Sequence, residues 1–209
     1  TETNAVGCGN FNENYLHKPG STGKASQPMV DLRILDDAGN ELQQGQVGEV
    51  CIRSVANFRG YWKNEEATKA AFTATQFFRT GDLGYLDEDG YLFIVDRKKD
   101  IIIRGGENIS CIEVEDAIYA HDDIAECSVF GLPDERFGEV PAAVFNLKEG
   151  RPQLSKAALR EFLLSRIAPF KVPTEDHIWI ASESLPRLGT QKIDKRTVRQ
   201  MFAGELVAA

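Results

Sequence analysis

Two hydrophobic rhythms run along the chain, and they change near residue 95. Before it, apolar residues come in short alternating runs. Residues 29–35 and 48–53 have the period-two pattern of strands, and Asp36-Asp37-Ala38-Gly39-Asn40 is a turn after the first. Tyr85-Leu86 and the run 91–95 flank Asp87-Glu88-Asp89-Gly90, an Asp-Gly hairpin signal. Thr80-Gly81-Asp82, just upstream, predicts a tight turn that leaves one carboxylate exposed. One short helix is expected from Asn64 to Phe72, with Asn64 as N-cap and Glu65 and Glu66 in its first turn. Residues 1–27 carry Gly, Asn, Ser and Thr with little period and read as loop. Within them Gly20-Ser21-Thr22-Gly23-Lys24 lacks P-loop spacing and a following helix, so a plain turn is expected. This half predicts a small antiparallel sheet.

Five consecutive charged residues, Asp96-Arg97-Lys98-Lys99-Asp100, separate that sheet from the next apolar run. So many charges do not share one core, and the chain is expected to surface here between two hydrophobic bodies. Beyond them strands and helices alternate. Residues 101–104 predict a strand ended by Gly105-Gly106-Glu107-Asn108, and Ser110 caps a helix running to Ala120. Strands are expected at 124–132, 140–147 and 177–181. Residues 154–167 predict a helix with Leu154, Ala158, Leu159, Phe162, Leu163 and Ile167 on one stripe. A loop over 185–192 precedes a basic helix, 195–202, capped by Asp194. The expected fold class is α/β in the α+β sense: an antiparallel β subdomain (1–95), a charged hinge (96–100) and a compact α+β lid (101–209).

Composition narrows the function classes. The 209 residues are 42% apolar and 27% charged, the balance of an ordinary globular protein. A net charge of −8 argues against a general binder of nucleic acid or anionic membrane. No apolar run approaches the roughly 18–20 residues of a membrane span. The four cysteines and three histidines are dispersed without ligand-like spacing, which predicts no zinc site and a reducing, cytoplasmic setting. The chain opens on Thr1-Glu2 without a starting methionine, so a cut-down or trimmed product is expected.

Several motifs, in order, carry a resemblance. Thr1-Glu2, Gly48-Glu49-Val50 through Gly60-Tyr61-Trp62, Thr80-Gly81-Asp82, Asp96-Arg97, Gly105-Gly106-Glu107-Asn108-Ile109 with Glu113-Val114-Glu115, and Leu185-Pro186-Arg187 to Lys192-Ile193 are laid out this way. The arrangement resembles the adenylate-forming superfamily of acyl-CoA synthetases, firefly-type luciferases and peptide-synthetase adenylation domains. The resemblance spans essentially the whole chain. It implies ATP-dependent activation of a carboxylic acid, fatty or otherwise organic, to acyl-AMP and then transfer to coenzyme A. It implies ATP/AMP, Mg2+ and CoA as cofactors, and a partner in the N-terminal remainder of a larger enzyme, where the phosphate loop and acyl pocket lie.

Roles follow by position. The resemblance implies that Lys192 supplies a cation to the carboxylate and α-phosphate oxygens. Taken as a residue alone, it is one of several cations near Arg187, Lys195, Arg196 and Arg199, and a solvated lysine fits equally. Asp82 is implied to accept from the ribose hydroxyls and Arg97 to donate to ribose or phosphate; an Asx-turn and a surface ion pair are the plain alternatives. Ile94 is implied to pack near the nucleoside, Glu2 to hold Mg2+, Thr1 to touch phosphate, and Lys99 to be the hinge. Gly105, Gly106 and Glu107 are implied to lie beside the pantetheine arm. Two departures stand out: Gln191 replaces the family's usual Gly, and Ser110-Cys111 its usual Tyr-Pro.

Overall fold

The computed structural model describes residues 1–4 and 7–204 and divides the chain into two compact units, Thr1–Lys99 and Asp100–Ala209. The first unit begins with β1 (Cys8–Gly9), α1 (Glu13–His17) and β2 (Lys24–Ala25). The segment expected as loop therefore contains a two-stranded antiparallel ladder, Cys8 opposite Ala25. Two-residue strands have no period to read, which is why the pattern gave no sign of them.

β3 (Val30–Leu35) and β4 (Gly48–Ser54) follow, then α2 (Glu65–Ala70), β5 (Phe78–Leu86) and β6 (Leu92–Arg97). The last four strands form one antiparallel sheet in sequence order, β3-β4-β5-β6. Its core gathers Ile34, Val50 and Leu92, with Leu32, Leu42, Leu86 and Ile94 packed against them. Asn64 caps α2 as expected, its side chain accepting from the Ala67 N–H at 3.0 Å. The helix stops at Ala70 rather than Phe72, because Phe72 bridges to Phe78 and stacks on Phe58 instead.

The second unit contains β7 (Ile102–Arg104), β8 (Glu107–Ile109), α3 (Cys111–Tyr119), β9 (Ile124–Asp134), β10 (Gly138–Leu147), α4 (Lys156–Leu164), β11 (Ile178–Ile180) and α5 (Lys195–Ala203). β10 is the organising strand. β9 pairs antiparallel along one edge; on the other, β7 pairs at its start and β11, parallel, at 143–145. Both faces of β10 are covered. Ala143 and Phe145 point to a core shared with α3 and α4, while Ala142 and Val144 point to one shared with α5. A strand covered on both sides reads as a continuous apolar run rather than an alternating one.

Side-chain caps set the helix starts. Ser110 accepts from the Glu113 N–H at 3.1 Å, Ser155 from Ala158 at 3.1 Å and Asp194 from Thr197 at 3.2 Å. Ser155 moves the start of α4 two residues past the expected Leu154. Cys51, Cys111 and Cys127 are buried and Cys8 is half-buried. Among the described residues no helix is long and apolar enough to cross a membrane.

Candidate functional site

Thr80, Gly81 and Asp82 are not the tight turn expected but a bulge inside β5. Glu49 of β4 pairs with Leu83 and Cys51 with Arg79, so three residues of β5 face the single residue Val50. Each has a separate reason to be there. The Thr80 hydroxyl donates to the Val50 carbonyl at 2.7 Å and accepts from the Asp82 N–H at 3.0 Å. Gly81 takes φ +74°, a left-handed conformation that side chains resist, in open space. Asp82 is thereby re-aimed, as bulges commonly do to the residue they displace.

On the opposite edge Asp82 pairs with Arg97 of β6, and a second irregularity follows between Leu83 and Gly84. Arg97 Nε donates to Asp82 Oδ1 at 3.2 Å, both side chains half-exposed. The two groups proposed for one nucleotide thus lie side by side. Ile94, three residues before Arg97, is partly buried against the sheet core. Its position fits a packing residue as well as a nucleoside wall.

Glu49 is the residue that the sequence reasoning missed. It is 5% exposed, and its carboxylate meets Arg79 Nη1 at 2.9 Å, Lys98 Nζ at 3.3 Å and the Gly81 N–H at 3.3 Å. One buried anion therefore holds the bulge, a neighbouring strand and the first lysine of the charge run. Its signal was a single acid immediately before the apolar run Val50-Cys51-Ile52. Lys98 also binds Asp37 at 2.6 Å, which raises the lysine pKa and lowers that of Asp37.

The charge run itself needs a correction. Asp96 was expected at the surface with its neighbours and is 1% exposed. It belongs to the ladder opposite Leu83 and its carboxylate accepts the Arg97 N–H at 2.6 Å. Lys99 is exposed and is the last residue of the first unit.

Thr1 is exposed; Glu2 is half-buried and tied to the aromatic segment, its carbonyl accepting from the Phe58 N–H at 2.8 Å and Oε1 from the Tyr61 hydroxyl at 3.3 Å. Among the described residues no group of three or more His, Cys, Asp or Glu gathers to hold an ion. A lone carboxylate does fit Mg2+ of the kind that shares its coordination with substrate phosphates and water.

In the second unit β7 ends at Gly105-Gly106 as expected, but the two glycines are the turn of a hairpin, and Glu107 and Asn108 open its second strand. Arg104 pairs with Glu107 and Ile102 with Ile109. Both glycines have positive φ, +59° and +90°, as a two-residue mirror-image turn requires. A Cβ on Gly106 would meet nothing within 4 Å, whereas one on Gly105 would lie 3.3 Å from the Phe137 ring. Glu107 is exposed.

Lys192 sits in an exposed loop closed by an Arg187–Ile193 bridge. The Leu188 N–H donates to the Lys192 carbonyl at 2.8 Å, and the ammonium makes no ion pair among the described residues. Gln191 adopts φ +67°, the conformation for which glycine is suited. Beneath the loop Glu126 of β9 accepts from the Leu185 N–H at 2.8 Å and from Asn146 Nδ2 at 3.0 Å, and pairs with Arg187. Burial pushes the Glu126 pKa up, but these donors together outweigh it and hold it below the ordinary carboxylate value.

With this geometry in place, the comparisons give the class. Residues 1–62 match the AMP-binding enzyme family and residues 113–192 the AMP-binding enzyme C-terminal domain. The chain belongs to the AMP-binding, adenylate-forming family. Among its relatives are a probable CoA ligase of Humulus lupulus, CCL9, 43% identical over 92% of this chain and 35% of that protein, and the 2-succinylbenzoate–CoA ligase of Geobacillus kaustophilus, 41% identical over 91% and 37%. Its fold is similar to ATP-bound MatB from Rhodopseudomonas palustris, with a TM-score of 0.79 and 35% identity over 88% of this chain and 36% of that one. It is also similar to the Bacillus subtilis o-succinylbenzoate CoA synthetase MenE in complex with its acyl-adenylate, with a TM-score of 0.80 and 32% identity over 90% and 37%. The chain spans a little over a third of the length of the relatives it matches.

Two measurements test the local physics. Gln191→Gly is expected to stabilise the chain, by up to about 1 kcal/mol, since left-handed strain is relieved at the cost of some chain entropy; thermal midpoints read the sign. The lowered folded pKa of Glu126 contributes stability that is fully present above the unfolded value of about 4.3 and is lost as pH falls through the folded value. Thermal midpoints between pH 3 and 6 should drop on the acid side, and Glu126→Gln should flatten part of that drop.

Proposed function

We propose that this chain acts within a larger AMP-forming acyl-CoA ligase that converts a carboxylic acid, fatty or otherwise organic, to acyl-AMP and then to its CoA thioester. The observation that carries the reading is the Asp82–Arg97 pair, held across two strands by the bulge in β5. An ionised carboxylate on a fixed backbone suits vicinal ribose hydroxyls, and the adjacent guanidinium suits ribose or phosphate oxygens. The CoA-ligase names of its relatives support the reaction class.

Adenylation brings the acid's carboxylate against the α-phosphate of ATP and expels pyrophosphate, so cations are needed where the two anions meet. Lys192 serves as that cation, on a loop whose backbone is tied while its ammonium is not. Glu2 holds Mg2+ and Thr1 touches the phosphates; the ion supplies further positive charge to them. Ile94 packs beside the nucleoside. Thioester formation then requires the CoA thiol to reach the acyl carbon. Gly105 and Gly106 line the pantetheine arm, where a chain lacking Cβ admits close approach, and Glu107 lies beside them. Lys99 is the pivot between the two steps. The hinge between the 1–95 subdomain and the 101–209 lid lies within the 96–100 segment, in the part beyond Arg97 that β6 does not hold, and the setting is the cytoplasm.

An adenylation domain that loads a carrier protein is the second reading. The Gly-Gly-Glu-Asn hairpin favours free CoA. The 209-residue chain alone is expected to be inactive, which purified chain tested for pyrophosphate exchange would check. In the full-length parent, thioester formed only on a phosphopantetheinylated carrier, and never on CoA, reverses the choice. There Lys192→Ala should cut adenylation by orders of magnitude, roughly 100-fold or more, and spare thioester formation from preformed acyl-AMP. Lys99→Pro should show the converse split.

A further inference from the structure

We propose that Glu126 is a positioning residue for Lys192: its carboxylate clamps the entry of the 185–193 loop and, through Arg187, fixes the peptide group immediately before the lysine. The proposal rests on the reading of Lys192 as the adenylating cation.

The path has two links. Glu126, its side chain 13% exposed, takes the Leu185 N–H and Asn146 Nδ2 on Oε2 and Arg187 Nη2 on Oε1. Arg187 Nη1 then donates to the carbonyl oxygen of Gln191, which belongs to the peptide bond joining Gln191 to Lys192. The next carbonyl, that of Lys192 itself, accepts the Leu188 N–H at 2.8 Å. The backbone on both sides of the lysine Cα is therefore tied, and the first of the two ties runs through Arg187 to Glu126. A guanidinium suits this because its planar fork holds two donor nitrogens at a fixed spacing, whereas an ammonium presents its donors from one point on a flexible stem.

General stability does not account for the arrangement. Leu185 is 3% exposed in the core beside α5, and the Asp194 N–H bonds to the Pro186 carbonyl at 2.8 Å. Both ends of the loop thus have a hold besides Glu126. What Glu126 adds is the placement of the middle, where Gln191 is kept in a conformation its side chain disfavours. Lys192 has no ion pair among the described residues to aim it, so the direction of its stem is set by the backbone alone. Displacement of a reacting group by about 1 Å can cost on the order of 100-fold in rate.

The test uses the full-length parent and separates its half-reactions: pyrophosphate exchange for adenylation, and thioester formation from preformed acyl-adenylate. Glu126→Gln is expected to lower kcat for adenylation by about 10- to 100-fold, with KM for ATP changed less than about twofold and thioester formation unaffected. Arg187→Lys should give the same split, and Glu126→Asp should recover part of the loss. In a Lys192→Ala background, Glu126→Gln should add less than about twofold, since the two act as a unit. Equal losses in both half-reactions, or full additivity over Lys192→Ala, overturn the clamp and leave the role of Lys192 standing. Adenylation untouched by Lys192→Ala overturns the reading of the lysine and the clamp with it. Hydrogen exchange on the 209-residue chain guards against simple unfolding. Glu126→Gln should speed exchange of the Leu185 and Leu188 amides while β10 stays protected; β10 exchanging as fast as the loop also counts against the clamp.

Discussion

A carboxylate withdrawn from water, that of Glu49, is the constraint from which the first unit's site follows. It faces two cations and a backbone N–H, and burial makes each of those contacts more consequential than it would be in solvent. Removing one member of a buried ionic cluster generally costs about 3–5 kcal/mol, because the rest are left uncompensated. The bulge of Thr80-Gly81-Asp82 is stable only while that cluster and the Thr80 hydroxyl hold the extra residues against Val50. Straighten the strand, and Asp82 shifts its register with Arg97. The placement of Asp82 on β5 is thus a consequence of an acid on β4.

The second unit applies a similar division of labour with different parts. β10, covered on both faces, provides rigidity, while the two segments proposed for chemistry are a glycine hairpin and an exposed loop. Such segments have few buried contacts, so their geometry depends on a handful of polar ties rather than on packing. Glu126 and Arg187 are of that kind. Both units therefore place a largely buried acid against a segment proposed for chemistry, and each acid lies in a strand whose nearest neighbours are mostly apolar.

The strands β3, β4, β6, β9 and β10, the helix caps at Asn64, Ser110 and Asp194, and the change of rhythm near residue 95 were legible in the sequence, because hydrophobic period and cap chemistry are local. So were the motif residues, through their order along the chain. The bulge was not. Thr-Gly-Asp has the composition of a turn, and only the register of β4 opposite it reveals three residues against one. Asp96 looked like one more surface charge because its burial depends on the ladder it joins. Gly105-Gly106 looked like a strand end and nothing more because the three-residue strand after it, Glu107–Ile109, has too few apolar positions to show a period. Gln191, noted only as a departure from a family pattern, gained a physical meaning once its backbone angle was known.

The burial of three cysteines has a practical consequence. Desolvation pushes the Cys51 thiol up to about 11 and that of Cys127 higher still, so at neutral pH neither offers an appreciable fraction of the nucleophilic form. Cys111 is walled off at 1% exposure. Cys8, on the short ladder near the start of the chain, is left as the natural attachment point for a thiol-directed fluorophore or spin probe, without any engineered substitution.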